Sequence, residues 1–143
     1  MWVQFLHGGP LNMLECLIVG DSIAVGIAQH RTQCEVRARV GISSTQWNKT
    51  FGNSILPAQH TIISLGTNDW LADKTLKEIA EIRARISGRV TWILPANSTA
   101  RQTPVVTVAQ MYNDRTLVIT QTKKDGIHPT SNEYRRLAEQ TKY

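Results

Sequence analysis

Five short apolar runs recur along this 143-residue chain, and longer stretches with helical spacing separate them. The runs are Leu14 to Gly20, Val36 to Val40, Thr61 to Leu65, Val90 to Leu94 and Leu117 to Thr120. Three are almost continuously apolar at Leu17-Ile18-Val19, Ile62-Ile63 and Trp92-Ile93-Leu94, which is the pattern of strands covered on both faces. Between them Ile23 to Gln33, Leu76 to Ile86 and Ser131 to Gln140 read as helices. The second carries Leu76, Ile79, Ile82 and Ile86 at spacings of three and four, and Gly88 stops it. Shorter helices are expected at Ser43 to Phe51 and Val105 to Tyr112. Strands and helices in alternation require crossover connections, so the expected class is α/β: three α/β/α layers around a five-stranded parallel sheet.

The length suits one domain, with residues 1-13 as an arm ahead of a domain over 14-143. That arm lacks the basic start and continuous apolar stretch of a signal peptide, being broken by His7, Gly8, Gly9 and Pro10, and no run approaches a membrane span. A cytoplasmic protein with no membrane span is the expectation. Sixteen Lys and Arg against eleven Asp and Glu leave a formal charge of +5. The cations are scattered (Arg83, Arg85, Arg89, Lys123, Lys124, Arg135, Arg136), which reads as solvated surface and excludes nucleic acid as the expected partner. Cys16 and Cys34 fit neither a zinc knuckle nor a disulfide framework, so two free thiols are expected. His7, His30 and His60 have no partners at metal-ligand spacing and read as surface or strand-edge residues. Neither metal nor organic cofactor is expected.

In an open parallel sheet, the loops at the carboxyl ends of the strands converge on one crevice. Gly20-Asp21-Ser22 follows the first run, Gly41-Ile42-Ser43 the second and Gly66-Thr67-Asn68-Asp69 the third, while Asp125-Gly126-Ile127-His128-Pro129 precedes the last helix. Ser22 falls at a strand-to-helix turn, where its hydroxyl can face the crevice. Such a hydroxyl needs a base and a group orienting that base; His128 and Asp125 are of the right type. Acyl transfer also needs donors for the oxyanion, and the N–H groups of Ser22 and Gly41 with the Asn68 amide would make three. Asp21 and Asp69 read as turn-fixing acceptors of local N–H groups rather than as a carboxylate pair for glycoside hydrolysis or a metal site.

These four blocks together resemble the SGNH, or GDSL-type, hydrolases, whose name lists Ser, Gly, Asn and His from four sequence blocks. The resemblance spans about residues 14 to 141. It implies a flavodoxin-like fold with strand order 2-1-3-4-5, Ser22, Asp125 and His128 as the catalytic residues, and Ser22, Gly41 and Asn68 as the oxyanion hole. Ile23 stands where the family usually has Leu. The chain is short for the family, leaving little room for lids.

Trp2 and Trp92 read as packing residues, whereas Trp47 and Trp70 each lie just beyond an oxyanion loop and are candidates for contact with substrate. Asn48-Lys49-Thr50 and Asn97-Ser98-Thr99 match the glycosylation acceptor pattern and receive no role. The expected activity is hydrolysis of a short-chain acyl ester through an acyl-serine intermediate, with a small-molecule or carbohydrate ester as substrate and carbohydrate O-acetyl groups favoured. The alternatives are a short-chain lipase or thioesterase and a non-catalytic binding module on the same fold.

Overall fold

A computed structural model describes residues 13–96 and 98–143. Five parallel strands form one sheet in the order β2-β1-β3-β4-β5: β1 (Leu14–Gly20), β2 (Glu35–Ala38), β3 (Ala58–Ser64), β4 (Arg89–Ile93) and β5 (Arg115–Leu117). The helices α1 (Ser22–Ala28), α2 (Ser44–Phe51), α3 (Ala72–Ala84), α4 (Thr99–Met111) and α5 (Ser131–Gln140) fill the crossovers and the chain's end. The expected three-layer α/β architecture and strand order are both present. The arm proposed for 1-13, with His7 and Trp2, falls almost wholly outside the described residues, as does Asn97.

Alternate side chains of the central strands point to opposite faces and build two cores. Leu17, Val19, Ile63 and Trp92 pack with Ile79, Ile82, Val105 and Val108 on one face; Cys16, Ile18, Ile62 and Ile93 pack with Ile23, Ile27 and Leu137 on the other. Helices α2, α3 and α4 therefore cover the first face, and α1 and α5 the second. Burying one Ile or Leu side chain contributes roughly 1.5–3 kcal/mol, so both layers are held chiefly by these contacts.

Local signals set where the helices begin. Ser43 and Gln46 form a capping box at α2, and the Ser98 and Thr130 hydroxyls cap α4 and α5. Helix α3 starts four residues ahead of the expected Leu76, because Thr75 is drawn into its first turn by bonds to Leu71 O (3.1 Å) and Asp69 Oδ2 (2.8 Å). Helix α1 ends at Ala28 instead of Gln33, as the chain turns through residues 29–34 to reach β2.

Three expectations are overturned. Cys16 and Cys34 are joined in a disulfide, with Cα atoms 4.8 Å apart, because β1 and β2 pair with Leu17 opposite Glu35 and so set the preceding residues side by side. His60 is a buried residue of β3, which has neighbours on both sides, and bonds Thr91 Oγ1 at 2.8 Å. Arg83 is no solvated cation: it forms a buried pair with Asp114 at 2.7 Å and stacks over Tyr112.

Candidate active site

All strands run the same way, so the loops after β1, β2 and β3 and the segment between β5 and α5 share the carboxyl end of the sheet. Backbone bonds join the first three loops: Arg39 N–H donates to Gly20 O and Asp21 N–H to Ser64 O, each at 3.0 Å. Gly20, at φ +145°, sits where a Cβ would lie 1.9 Å from Ser64 O, so only glycine permits this approach of β1 to β3.

Ser22 opens α1, directly after its N-cap Asp21. Its Oγ lies 3.0 Å from His128 Nε2, and His128 Nδ1 lies 2.6 Å from Asp125 Oδ2. The other Asp125 oxygen accepts the N–H groups of Ile127 (2.9 Å) and His128 (3.0 Å), which folds the loop around the carboxylate. These bonds, the His128 side chain foremost, hold the Asp125 carboxyl down at about 2. An ionised carboxylate accepts only, so the ring proton belongs on Nδ1 and the Nε2 lone pair faces the Ser22 hydroxyl. Lys123 N–H donates to His128 O at 2.8 Å and ties the two ends of this loop together.

The remaining two loops carry the expected oxyanion donors. Gly41 has φ +79°, a Cβ placed on it would meet nothing within 4 Å, and its N–H has no acceptor among the described residues. Asn68 gives one amide hydrogen to Ile42 O at 3.1 Å, tying its loop to that of Gly41 and leaving the second hydrogen for another acceptor. No hydrogen bond joins either residue to Ser22. Asp69 reaches further than a local turn: it accepts Ser44 N–H at 2.9 Å and the Thr75 hydroxyl at 2.8 Å, bracing α2 against α3.

Asp21 is fully buried. Its Oδ1 accepts Ile23 N–H (3.0 Å) and Ser64 Oγ–H (3.1 Å), while Oδ2 has no partner among the described residues. Burial pushes its carboxyl up to about 6, against the hydrogen bonds from Ile23 and Ser64.

The two tryptophans separate. Trp47 cannot meet a substrate here, contrary to expectation, because it is wholly buried in the core with its indole N–H on Arg37 O at 2.8 Å. Trp70 is 91% exposed and borders a cavity of about 330 Å³ lined by Asn68, Ser43, Gln46 and Lys74. A second hollow of about 420 Å³ contains Ser22 itself, with Tyr134 and Lys123. Sequence reasoning passed over Tyr134, although Gly26 was its signal: a Cβ there would lie 2.3 Å from the Tyr134 ring.

No protein-family model and no curated protein matches the chain. Solved structures do. A Bacteroides fragilis protein described as an acylhydrolase superposes with a TM-score of 0.66 at 19% identity, over 90% of this chain and 85% of that one. The C-terminal catalytic domain of peptidoglycan O-acetyltransferase A from Streptococcus pneumoniae, solved with a methylsulfonyl adduct, gives 0.58 at 12% identity over 89% of each chain. A Bacteroides uniformis protein described as a GDSL-like lipase gives 0.61 at 10% identity, over 89% of this chain and 93% of that one. With its parallel β2-β1-β3-β4-β5 sheet and likeness to these proteins along nearly its whole length, this chain has the fold of the SGNH, or GDSL-type, hydrolases.

Proposed function

We propose that the protein is a serine esterase that removes short acyl groups, acetyl foremost, from a carbohydrate. The observation that carries the reading is the relay Ser22–His128–Asp125, with contacts of 3.0 and 2.6 Å. As the Ser22 oxygen attacks the ester carbonyl, His128 Nε2 takes its proton, and the Asp125 carboxylate stabilises the imidazolium that forms. Negative charge develops on the carbonyl oxygen, where the N–H groups of Ser22 and Gly41 and the spare Asn68 hydrogen would receive it. His128 then protonates the departing alcohol, leaving an acyl-serine. Water, deprotonated by the same nitrogen, releases the acid and restores Ser22.

The sugar part of the reading rests on Trp70. An exposed indole beside a cavity that also offers Ser43, Gln46 and Lys74 provides an apolar face and polar groups for a pyranose. The likeness to an enzyme named for peptidoglycan O-acetylation agrees with acyl chemistry on a glycan. The Cys16–Cys34 disulfide favours an oxidising compartment over the cytoplasmic setting expected from the sequence.

The test compares kcat/KM for p-nitrophenyl acetate, butyrate and octanoate and for an acetylated oligosaccharide, in the wild type, Ser22→Ala and Trp70→Ala. Acetate is expected to be the preferred simple ester. Ser22→Ala should lose all turnover and all labelling by a fluorophosphonate, while Trp70→Ala should lose about tenfold on the oligosaccharide alone, on the scale of one stacked ring. Labelling of Ser22→Ala at the wild-type level would end the serine-hydrolase reading. Preference for octanoate would end only the acetyl-sugar part.

A further inference from the structure

We infer that the amino end of the sheet, opposite Ser22, holds a second binding site, for an oxyanion of the phosphate class. The argument begins with Arg31, which is 3% exposed yet has no carboxylate within ion-pairing distance among the described residues. Its Nη1 donates to the Thr141 hydroxyl at 2.6 Å, its Nη2 points at Cys16 Sγ at 3.6 Å, and its Nε has no partner. A guanidinium taken out of water normally brings a counter-charge with it, because neutral acceptors do not repay its lost hydration. Here no counter-charge is in contact with it among the described residues.

Beside Arg31 lies a cavity of about 430 Å³, also lined by Arg89, Lys142, His60 and Glu15. A second hollow of about 330 Å³ shares His60 and Arg89 and adds Arg115, whose guanidinium donates to Gln140 and to Tyr143 O. The Arg89 side chain makes no hydrogen bond or ion pair among the described residues. The carboxylates that act on Arg31 are Glu15 and Glu139, the latter already paired with Lys142 at 3.2 Å. Cations thus outnumber side-chain carboxylates around the two hollows, where Arg31, Arg83, Arg89, Arg115 and Lys142 meet Glu15 and Asp114, and this surplus of positive charge suits an oxyanion. His60 reports the same field: burial first, then Arg89, Arg31 and Arg115, push it down to about 4. A neutral ring there adds no charge to the site at pH 7. Planar guanidinium forks suit tetrahedral oxyanions because two N–H groups meet two oxygens. The site is distinct from the esterase reading and does not rest on it.

The experiment is isothermal titration calorimetry at pH 7.5 with inorganic phosphate and with phenyl phosphate, against sodium chloride at matched ionic strength, in the wild type, Arg89→Gln and Arg31→Met. Saturable binding is expected in the wild type, weakened at least tenfold in either variant, with ester turnover unchanged in Arg89→Gln. In parallel, the His60 ring signals should titrate at higher pH in sodium sulfate, which remains a dianion in acid, than in chloride of equal ionic strength. Should Arg31→Met fail to fold, the double variant Arg89→Gln/Lys142→Gln decides, since both side chains are exposed. Absence of saturable heat, binding unaltered by the substitutions, or equal His60 titration in the two salts would each overturn the inference. Binding of phenyl phosphate but not of inorganic phosphate would overturn it as well, since the charge would then not be what is recognised.

Discussion

The two ends of the sheet handle polar groups in opposite ways. At the carboxyl end the Asp125 carboxylate is paired with His128, both half exposed, and apart from the buried Asp21 Oδ2 what remains unsatisfied in the loops is a set of neutral donors at Gly41 and Asn68. At the amino end the unsatisfied group is itself a charge, the Arg31 guanidinium, and it is buried. Leftover neutral donors suit an oxyanion that exists only in passing, because they cost little when empty. A leftover cation suits a permanent anion. Substitutions in the Asp125–His128 pair and at the two donors should therefore change rates and leave stability alone, and those around Arg31 should do the reverse.

The largest effect is expected from Asp125→Asn. The amide would no longer hold the proton on His128 Nδ1, so kcat should fall by about 10³–10⁴ on the precedent of other serine triads. The thermal midpoint should stay near that of the wild type, because Asp125 is exposed. A destabilised but active variant would reverse the contrast between the two ends. Next comes Asn68→Ala, which should lower kcat by about 10²–10³ with KM altered far less, as the bond it supplies matures in the transition state. A change confined to KM would make Asn68 a ground-state binder.

Toward the amino end, the disulfide joins cysteines 18 positions apart and closes a loop that contains Ser22 and all of α1. Loop-closure entropy alone assigns such a link roughly 3 kcal/mol of stability. Cys16→Ala/Cys34→Ala should therefore lower unfolding free energy by about that amount in urea titrations, while kcat per folded molecule stays within about twofold. Loss of turnover without loss of stability would show that the link positions the nucleophile, and would blur the division between the ends.

Much of this could be read from the sequence where one signal acted alone. The bounds expected for β1 and α5 coincide with those observed, because a nearly continuous apolar run and a Thr-capped amphipathic segment have no competing reading. Helix α4 was expected only over its last turns: Pro104 lies inside it and Val105, Val106 and Val108 are β-branched, yet burial of Val105 and Val108 outweighs their propensity. Strand β5 was placed too late, since Val118 looks like strand but is 54% exposed, while polar Arg115 and Thr116 pair with Thr91 and Trp92. The disulfide needed the sheet order and register combined. Trp47 carried its own clue, an i, i+4 partner in Phe51, whose ring centroid lies 5.6 Å away. The four candidate loops were legible because chain order and strand direction suffice to gather them; what fills Arg31's surroundings was not, because burial of a cation is a tertiary fact.

The smallest effect sets one titrating group from each end against the other. Asp21, at the carboxyl end, is raised from 3.8 to about 6, so the native state holds its proton longer than the unfolded chain does; its stabilisation is complete below 3.8 and is lost as pH rises through 6. His60, at the other end, is lowered from 6.5 to about 4, so its contribution is complete above 6.5 and is lost as pH falls through 4. Between pH 4 and 6 each amounts to about 2 kcal/mol, with opposite sign, on a scale of 1.36 kcal/mol per pKa unit. The wild type should consequently show nearly level stability across that interval. Asp21→Asn keeps an acceptor for Ile23 N–H and removes the titration, and the hydrogens it adds where Asp21 Oδ2 stood impose a cost independent of pH. Its unfolding free energy, taken from urea titrations at half-unit steps, should rise by about 2 kcal/mol from pH 4 to 6. Glu133 adds a smaller rise at the acid edge of the interval, common to wild type and variant: burial would raise it, but the bonds from Arg136 and Thr120 outweigh this and bring it to about 2, so its stabilisation is lost as pH falls from 4.5 through 2, mostly below the interval. Parallel curves for wild type and variant would mean that Asp21 is ionised throughout, and the contrast between the two ends would then rest on Arg31 and His60 alone.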